Sequence, residues 1–186
     1  PPYDEPTNHV TNFQISARTS TSITVTWTDA TGAVVPSGYL VLAHNSSGSF
    51  YPPSDGTAKS DDATMGSDDN AELNIAAGVQ TSTFSSLSSA SIYDFKIVPY
   101  NGSSGAINYK TGSEPTASGS TLETEPDNQP GSFTATTLSS TSIEVSWNDA
   151  TGSPSPDTYL ILAKSPSGTF AAVADGTAVS DDTDFT

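Results

Sequence analysis

The 186-residue sequence predicts an all-β protein built as tandem β-sandwich modules, the second of them incomplete. Three observations predict it. Apolar and polar residues alternate with period two in the best-patterned segments, as half-buried strands require. Serine and threonine supply about 57 residues, and 14 glycines and 13 prolines are scattered among them as punctuation, a composition of short strands and turns. The chain also repeats itself at an offset of 120 residues: Phe13 matches Phe133, Trp27 matches Trp147, Tyr39 matches Tyr159 and Phe50 matches Phe170.

The repeat fixes the organisation. Trp27-Thr28-Asp29-Ala30-Thr31-Gly32 recurs as Trp147-Asn148-Asp149-Ala150-Thr151-Gly152, Asp55-Gly56-Thr57-Ala58 as Asp175-Gly176-Thr177-Ala178, and Ser60-Asp61-Asp62 as Ser180-Asp181-Asp182. Residues 6–66 align on 126–186 without a gap. The division is a linker over 1–5, a first module over 6–122, a joint over 123–130 with Pro126 opening the second copy, and the first half of a second module over 131–186. Half a unit would leave strands unpaired and a core uncovered, so the parent chain is expected to continue, or another chain to supply the missing strands.

In chain order, Ile23, Val25 and Trp27 alternate with Thr24, Thr26 and Thr28, an apolar face against a hydroxyl face. The second copy keeps Ile143, Val145 and Trp147 and changes the outer set to Glu144, Ser146 and Asn148, as expected if only the first set meets a core. Tyr39 to Ala43 is a continuous apolar run, suited to a central strand. Glu72 to Ala77 and Thr81 to Leu87 flank a turn at Gly78. Ile92 to Tyr100 follows, with Tyr93, Phe95 and Ile97 on one face, and Asn101-Gly102 marks a turn. Tyr109 to Thr121 holds a last edge strand, with Glu114-Pro115 near the edge because proline cannot donate to a ladder.

This order of a Trp strand, a Tyr strand, then Leu87 followed by Tyr93-Asp94-Phe95-Lys96-Ile97 resembles the fibronectin type III pattern. The resemblance implies Trp27 at the core centre and a tyrosine corner, with the Tyr93 hydroxyl bonded back to the preceding turn. It covers about residues 6–122 and a half copy from 126. The core would hold Trp27, Tyr39, Leu87, Tyr93, Phe95 and Ile97, with Trp147 and Tyr159 repeating the first two. The Trp-x-Asp-Ala-Thr-Gly and Asp-Gly-Thr-Ala segments look like the variant found in secreted and cell-surface proteins of Bacteroidetes-type bacteria. The unit is longer than a usual module of this family, and residues 55–70 stand out as the insertion. No Arg-Gly-Asp motif occurs, so animal-style adhesion does not carry over.

Charge and composition narrow the function. Five basic against 21 acidic residues give a net charge of −16, which repels nucleic acid and anionic membranes alike, so neither is an expected partner. Cysteine is absent, which removes disulfides, thiolate zinc sites and a cysteine nucleophile. No apolar run reaches the length of a membrane span, no signal peptide is visible, and Pro1 opens what reads as a linker of a mature or excised fragment. The two histidines, His9 and His44, align with Gln129 and Lys164, have no triad motif around them and read as exposed polar residues. No nucleophile elbow, phosphate loop or zincin helix occurs, and the carboxylates lie in turn-rich segments with no sign of a cleft to raise a pKa.

The acidic segment is the one candidate for chemistry. Asp61, Asp62, Asp68, Asp69 and Asn70, with Asp181, Asp182 and Asp184 in the second copy, offer the hard oxygens that calcium takes, although the spacing is not that of an EF-hand. Aspartate and asparagine are equally ordinary turn residues, and a solvated acidic turn is the alternative. Tyr51, Tyr100 and Tyr109 are candidates for stacking on sugars, against ordinary strand packing. Asn45-Ser46-Ser47 and Asn101-Gly102-Ser103 match the glycosylation sequon, a short pattern that recurs by chance. The expected function is a non-catalytic structural or adhesive segment, a stalk, fibre or adhesin spacer, outside the cell or on its surface. Its partners would be further copies of the module in the parent chain or in neighbouring subunits, with surface glycans or proteins as further candidates. Calcium is the only cofactor considered. The other reading is an accessory array, glycan-binding or not, in a secreted hydrolase or nuclease. Parent sequence separates the two, because fold alone does not decide.

Overall fold

A computed structural model describes residues 3–65 and 69–182. The chain divides into two units, Pro1–Glu123 and Thr124–Thr186.

In the first unit, β1 (Thr11–Arg18), β2 (Ser22–Thr28) and β5 (Thr81–Ser85) form one antiparallel sheet in the order β1-β2-β5. The second sheet runs β4 (Asn70–Ala76), β3 (Gly38–Asn45), β6 (Ile92–Asn101), β7 (Asn108–Tyr109), and β8 (Thr116–Ser120) also pairs with β6. The last strand is thus broken in two. Pro115 sits in the break, where its carbonyl accepts a bond from Ile97 N at 3.2 Å although it has no N–H to give.

Between the sheets lies the core. Ile23, Val25 and Trp27 are buried while Thr24 and Thr26 are only partly so, as the alternation predicts. Trp27 meets the Tyr39 ring edge-on at 5.7 Å, and Tyr93, Phe95 and Ile97 come in from β6 with Leu87 beside them. The Tyr93 hydroxyl accepts a bond from Ser88 N at 2.9 Å, which is the tyrosine corner. Gly119 lets β8 close against β1, since a Cβ there would sit 2.5 Å from Ile15 Cδ1.

A second cluster lies on the outer side of the larger sheet: Leu40, Leu42, Val98, Ile107 and Tyr109, with Phe50 and Tyr100 against it. This explains the unbroken apolar run in β3, which alternates between two cores rather than between core and solvent. Phe50, from the connection between β3 and β4, helps cover that outer cluster.

The second unit contains the hairpin β9 (Gly131–Ser139) and β10 (Ser142–Asn148) and no further strand among the described residues. Part of its local geometry copies the first unit, although Phe133 stacks on Trp147 at 23° where Phe13 is tilted 56° to Trp27. Trp147 meets Tyr159 at 5.7 Å and 66°, against 5.7 Å and 65° for Trp27 and Tyr39. Its apolar side is open: Phe133, Ile143 and Leu160 to Leu162 are exposed.

Candidate functional site: the repeated motif and the acidic connection

The repeated Trp-x-Asp-Ala-Thr-Gly motif helps hold the module together, although Trp27 Nε1 and Asp29 Oδ1 are buried with no hydrogen-bond partner among the described residues. Trp27 fills the core. Asp29 Oδ2 accepts from Gly78 N at 2.8 Å, tying the turn after β4 to the end of β2. Ala30 N donates to the Tyr39 hydroxyl at 2.9 Å, and Thr31 O accepts from Asn8 Nδ2 at 2.7 Å. Gly32 has φ +139°, and a Cβ there would fall 2.7 Å from Thr7 Cβ, so the close approach of the N-terminal segment excludes a side chain. The second unit repeats three of these arrangements: Ala150 N donates to the Tyr159 hydroxyl at 2.7 Å, Asn128 Nδ2 to Thr151 O, and Gly152 sits at φ +131° beside Asp127.

The Tyr39 phenol is pushed up to about 12, mainly by burial and further by Asp29, with the Ala30 amide acting the other way. It therefore stays a neutral hydroxyl in the folded protein.

The acidic connection acts as a strap across the outer face of the larger sheet. At the β7 side, Gly56 N donates to Ile107 O at 2.9 Å, Tyr109 N to Asp55 Oδ1 at 2.8 Å, and Lys59 N to the Tyr109 hydroxyl at 3.2 Å. At the β4 side, Asp62 and Glu72 exchange both backbone bonds, at 2.8 and 2.7 Å. Asp61 Oδ1 accepts from Asn74 N at 2.7 Å and from Asn74 Nδ2 at 2.9 Å, and Lys59 pairs with Glu72 at 3.1 Å. The strap thereby occupies backbone groups that an exposed edge strand would offer to another chain. The Asp-Gly-Thr turn that begins it is present in both units: Thr57 N bonds Ser54 O at 3.1 Å, and Thr177 N bonds Ala174 O at 3.2 Å.

The candidate calcium residues are distributed along this strap. Asp62 Oδ1 accepts from Thr64 N at 3.1 Å and Thr64 Oγ1 at 2.9 Å, and those donors hold its carboxyl below the usual range. Asp69 has φ +56°, and Asn70 is the buried first residue of β4. Asp181 and Asp182 are exposed and outside regular structure. Asp68 and Asp184 lie outside the described residues. Among the described residues no three carboxylate or imidazole side chains are grouped to hold a metal ion.

Two histidines differ from expectation, and the connection accounts for one of them. His44 is buried, not exposed: its Nδ1 donates to Asn45 O, and its ring meets Phe50, from the connection, edge-on at 4.2 Å. His9 is half-buried, and its Nε2–H donates to Gly112 O at 2.8 Å. Of the three tyrosines considered for sugar stacking, Tyr51 is exposed, Tyr100 is half-buried and Tyr109 is buried. Asp55, Lys59, Asn74 and Glu72 were not singled out by sequence. The repeated Asp-Gly pair was the available signal for the first of them.

Comparison with protein-family models agrees with this architecture. Residues 6–115 match the model of the fibronectin type III domain. No curated protein matches the chain. Among solved structures it is similar to a computer-redesigned β-sandwich protein, at 18% identity and TM-score 0.44 over 66% of this chain and 97% of that one. It is also similar to the FN1-FN3 domains of chicken CNTN1, at 17% identity and TM-score 0.45 over 63% of this chain and 32% of that one. An fn3 domain of human contactin 1 aligns at 11% identity and TM-score 0.48 over 69% and 89%.

Proposed function

The chain belongs to the fibronectin type III family, and from that premise we propose that it is a non-catalytic structural segment: a spacer in a stalk or fibre of a secreted or cell-surface protein, of the bacterial type its motifs resemble. The observation that carries this reading is the use made of the repeated residues. In the first unit, Trp27, Asp29, Ala30, Thr31 and Gly32 all serve to lock loops and the N-terminal segment onto the sandwich, and Asp55 and Gly56 fasten the strap. A sequence that repeats its fastenings is built for copying, as an array needs. The same arrangement around Tyr159 supports counting the second unit as another copy. The joint between the units is short and ends on Pro126, a composition that favours a stiff linker over a freely flexible one. Partners for such a segment are further copies of the module in the same chain or in a neighbouring subunit.

The test is small-angle scattering on one, two, three and four tandem copies of the 120-residue unit, residues 6–125. A spacer lengthens in equal steps with each copy. Collapse to a compact particle, or a maximum dimension that does not grow with copy number, overturns the reading.

A further inference from the structure

Each unit holds down the segment by which the chain enters it, and the same loop does the holding. In the first unit the segment is Pro6-Thr7-Asn8, with Pro6 fully buried. Thr7 N donates to Val34 O and Val34 N to Thr7 Oγ1, both at 2.9 Å, and Asn8 Nδ2 donates to Thr31 O at 2.7 Å. In the second unit the segment is Pro126-Asp127-Asn128, and the loop is the one that follows β10. Asp127 N donates to Pro154 O at 3.1 Å and Asn128 Nδ2 to Thr151 O, and a Cβ at Gly152 would fall 2.9 Å from Asp127 Cβ and from Asn128 Nδ2. One bond has no direct copy. The counterpart of Val34 is Pro154, which has no N–H. The counterpart of Thr7 is Asp127, whose longer side chain reaches one residue further back and accepts from Ser153 N at 3.2 Å through Oδ2. The fastening is kept although both positions differ.

On the other side of the joint, the first unit holds its chain as far as Leu122. Thr121 N donates to Ser91 O at 3.0 Å, Leu122 N to Thr19 O at 2.9 Å, and Ala90 N to Leu122 O at 3.1 Å. Between the two sets of bonds stand Glu123, Thr124, Glu125 and Pro126, all exposed and outside regular structure. Pro126 has a fixed φ and biases the residue before it towards an extended backbone. Glu123 and Glu125 carry like charges, which also favour extension.

We propose that the loop after β10 is a docking cradle for the joint, that Asp127 and Asn128 belong to the fold of the second unit, and that Glu123-Thr124-Glu125 is the hinge between the units. The inference deepens the spacer reading and rests on it for its use: an array jointed over three residues has few bends open to it, because each further freed residue would add backbone conformations.

The test is ¹⁵N relaxation on the full chain. The expected order parameters fall below about 0.6 at Glu123, Thr124 and Glu125 and stand near about 0.85 at Asp127 and Asn128, the values of flexible and of rigid backbone. Asp127→Ala combined with Asn128→Ala should lower 127 and 128 to the hinge values. Thr7→Ala combined with Asn8→Ala should do the same to 7 and 8 in residues 1–123, so the cradle is also read in the complete module. A mobile run from 123 through 130 in the unaltered chain overturns the proposal, as does a rigid backbone at 123–125. Order at 7 and 8 that survives the loss of both side chains overturns the cradle. Scattering on the tandem copies reads the spacer separately, so arrays that fail to lengthen and a joint that fails to dock are told apart.

Discussion

Removing the Asp61 carboxylate should loosen the strap without unfolding the module. Asp61 Oδ1 takes two bonds from Asn74, at 2.7 and 2.9 Å, on the outer edge of β4. Each is an ordinary to charge-assisted bond at a solvent-exposed position, so about 1 kcal/mol apiece is a fair magnitude. Asp61→Ala should then raise the open population of the strap by roughly 10- to 30-fold, because 1.4 kcal/mol is a factor of ten. Lys59 makes this measurable. It lies within the strap, donates its amide to the Tyr109 hydroxyl and pairs with Glu72, and it is one of very few trypsin sites in residues 1–123. Native-state trypsin digestion of that unit should show cleavage after Lys59 accelerated about tenfold in Asp61→Ala. Cleavage after Lys96, in the middle of β6, should change far less, because it requires global opening. Asp61→Asn keeps an acceptor oxygen and should show a smaller acceleration. Equal acceleration at Lys59 and Lys96 would mean that the strap has no opening of its own. An unchanged rate at Lys59 would mean that Asp61 does not fasten it.

Three further outcomes are expected. Tyr93→Phe removes the acceptor of the Ser88 amide and should cost about 0.5–1.5 kcal/mol in urea denaturation, and a neutral result would deny the corner any energetic role. Tyr39 has a folded-state pKa of about 12 against 10 in the unfolded chain, so its contribution is complete below pH 10 and is lost as pH climbs from 10 to 12. That amounts to about 2–3 kcal/mol, and Tyr39→Phe should flatten this part of the stability–pH curve; identical slopes in the two proteins would contradict the assignment. Thermal melts of residues 1–123 in chelator, millimolar calcium and millimolar magnesium should coincide, because Asp61 and Asp62 already accept bonds from Asn74 and Thr64. A calcium-specific rise in melting temperature, abolished by Asp61→Asn with Asp62→Asn, would instead establish the ion as a ligand of the strap.

What sequence made legible was whatever repeats within one strand or a short turn. Ile23, Val25 and Trp27 declare their face by alternation, and Tyr93, Phe95 and Ile97 do the same on β6. Leu87 and Tyr93 are six residues apart, so the corner is a local pattern. The strap is not local. Its fastenings join Asp55 to Tyr109 and Lys59 to the same ring, and nothing along either segment signals a partner some fifty residues away. The continuous apolar run Tyr39 to Ala43 hinted at burial on both faces, yet its pattern could not say that the covering came from the chain's own next connection. For that reason His44 was read as exposed and is buried, and Tyr109, weighed as a sugar-stacking candidate against strand packing, is buried too: each lies under residues that reach it only when the connection folds back. The acidic residues illustrate the same gap. Composition alone marks a run of carboxylates, while the bonds from Asn74 and Thr64 that occupy Asp61 and Asp62 depend on the register of β4 and on the turn at 62–64.

The central claim is that residues 1–123 form one complete module, with the strap as part of its fold. Trp27 is the only tryptophan of this unit and sits between Phe13 and Tyr39 in the core, so its fluorescence reports the sandwich directly. The decisive measurement is equilibrium urea unfolding of residues 1–123, followed in parallel by Trp27 fluorescence and far-UV circular dichroism. The account predicts a single transition with coincident midpoints for the two signals, as a two-state domain gives. Separated midpoints, or a Trp27 signal that is already solvent-like without denaturant, would contradict it.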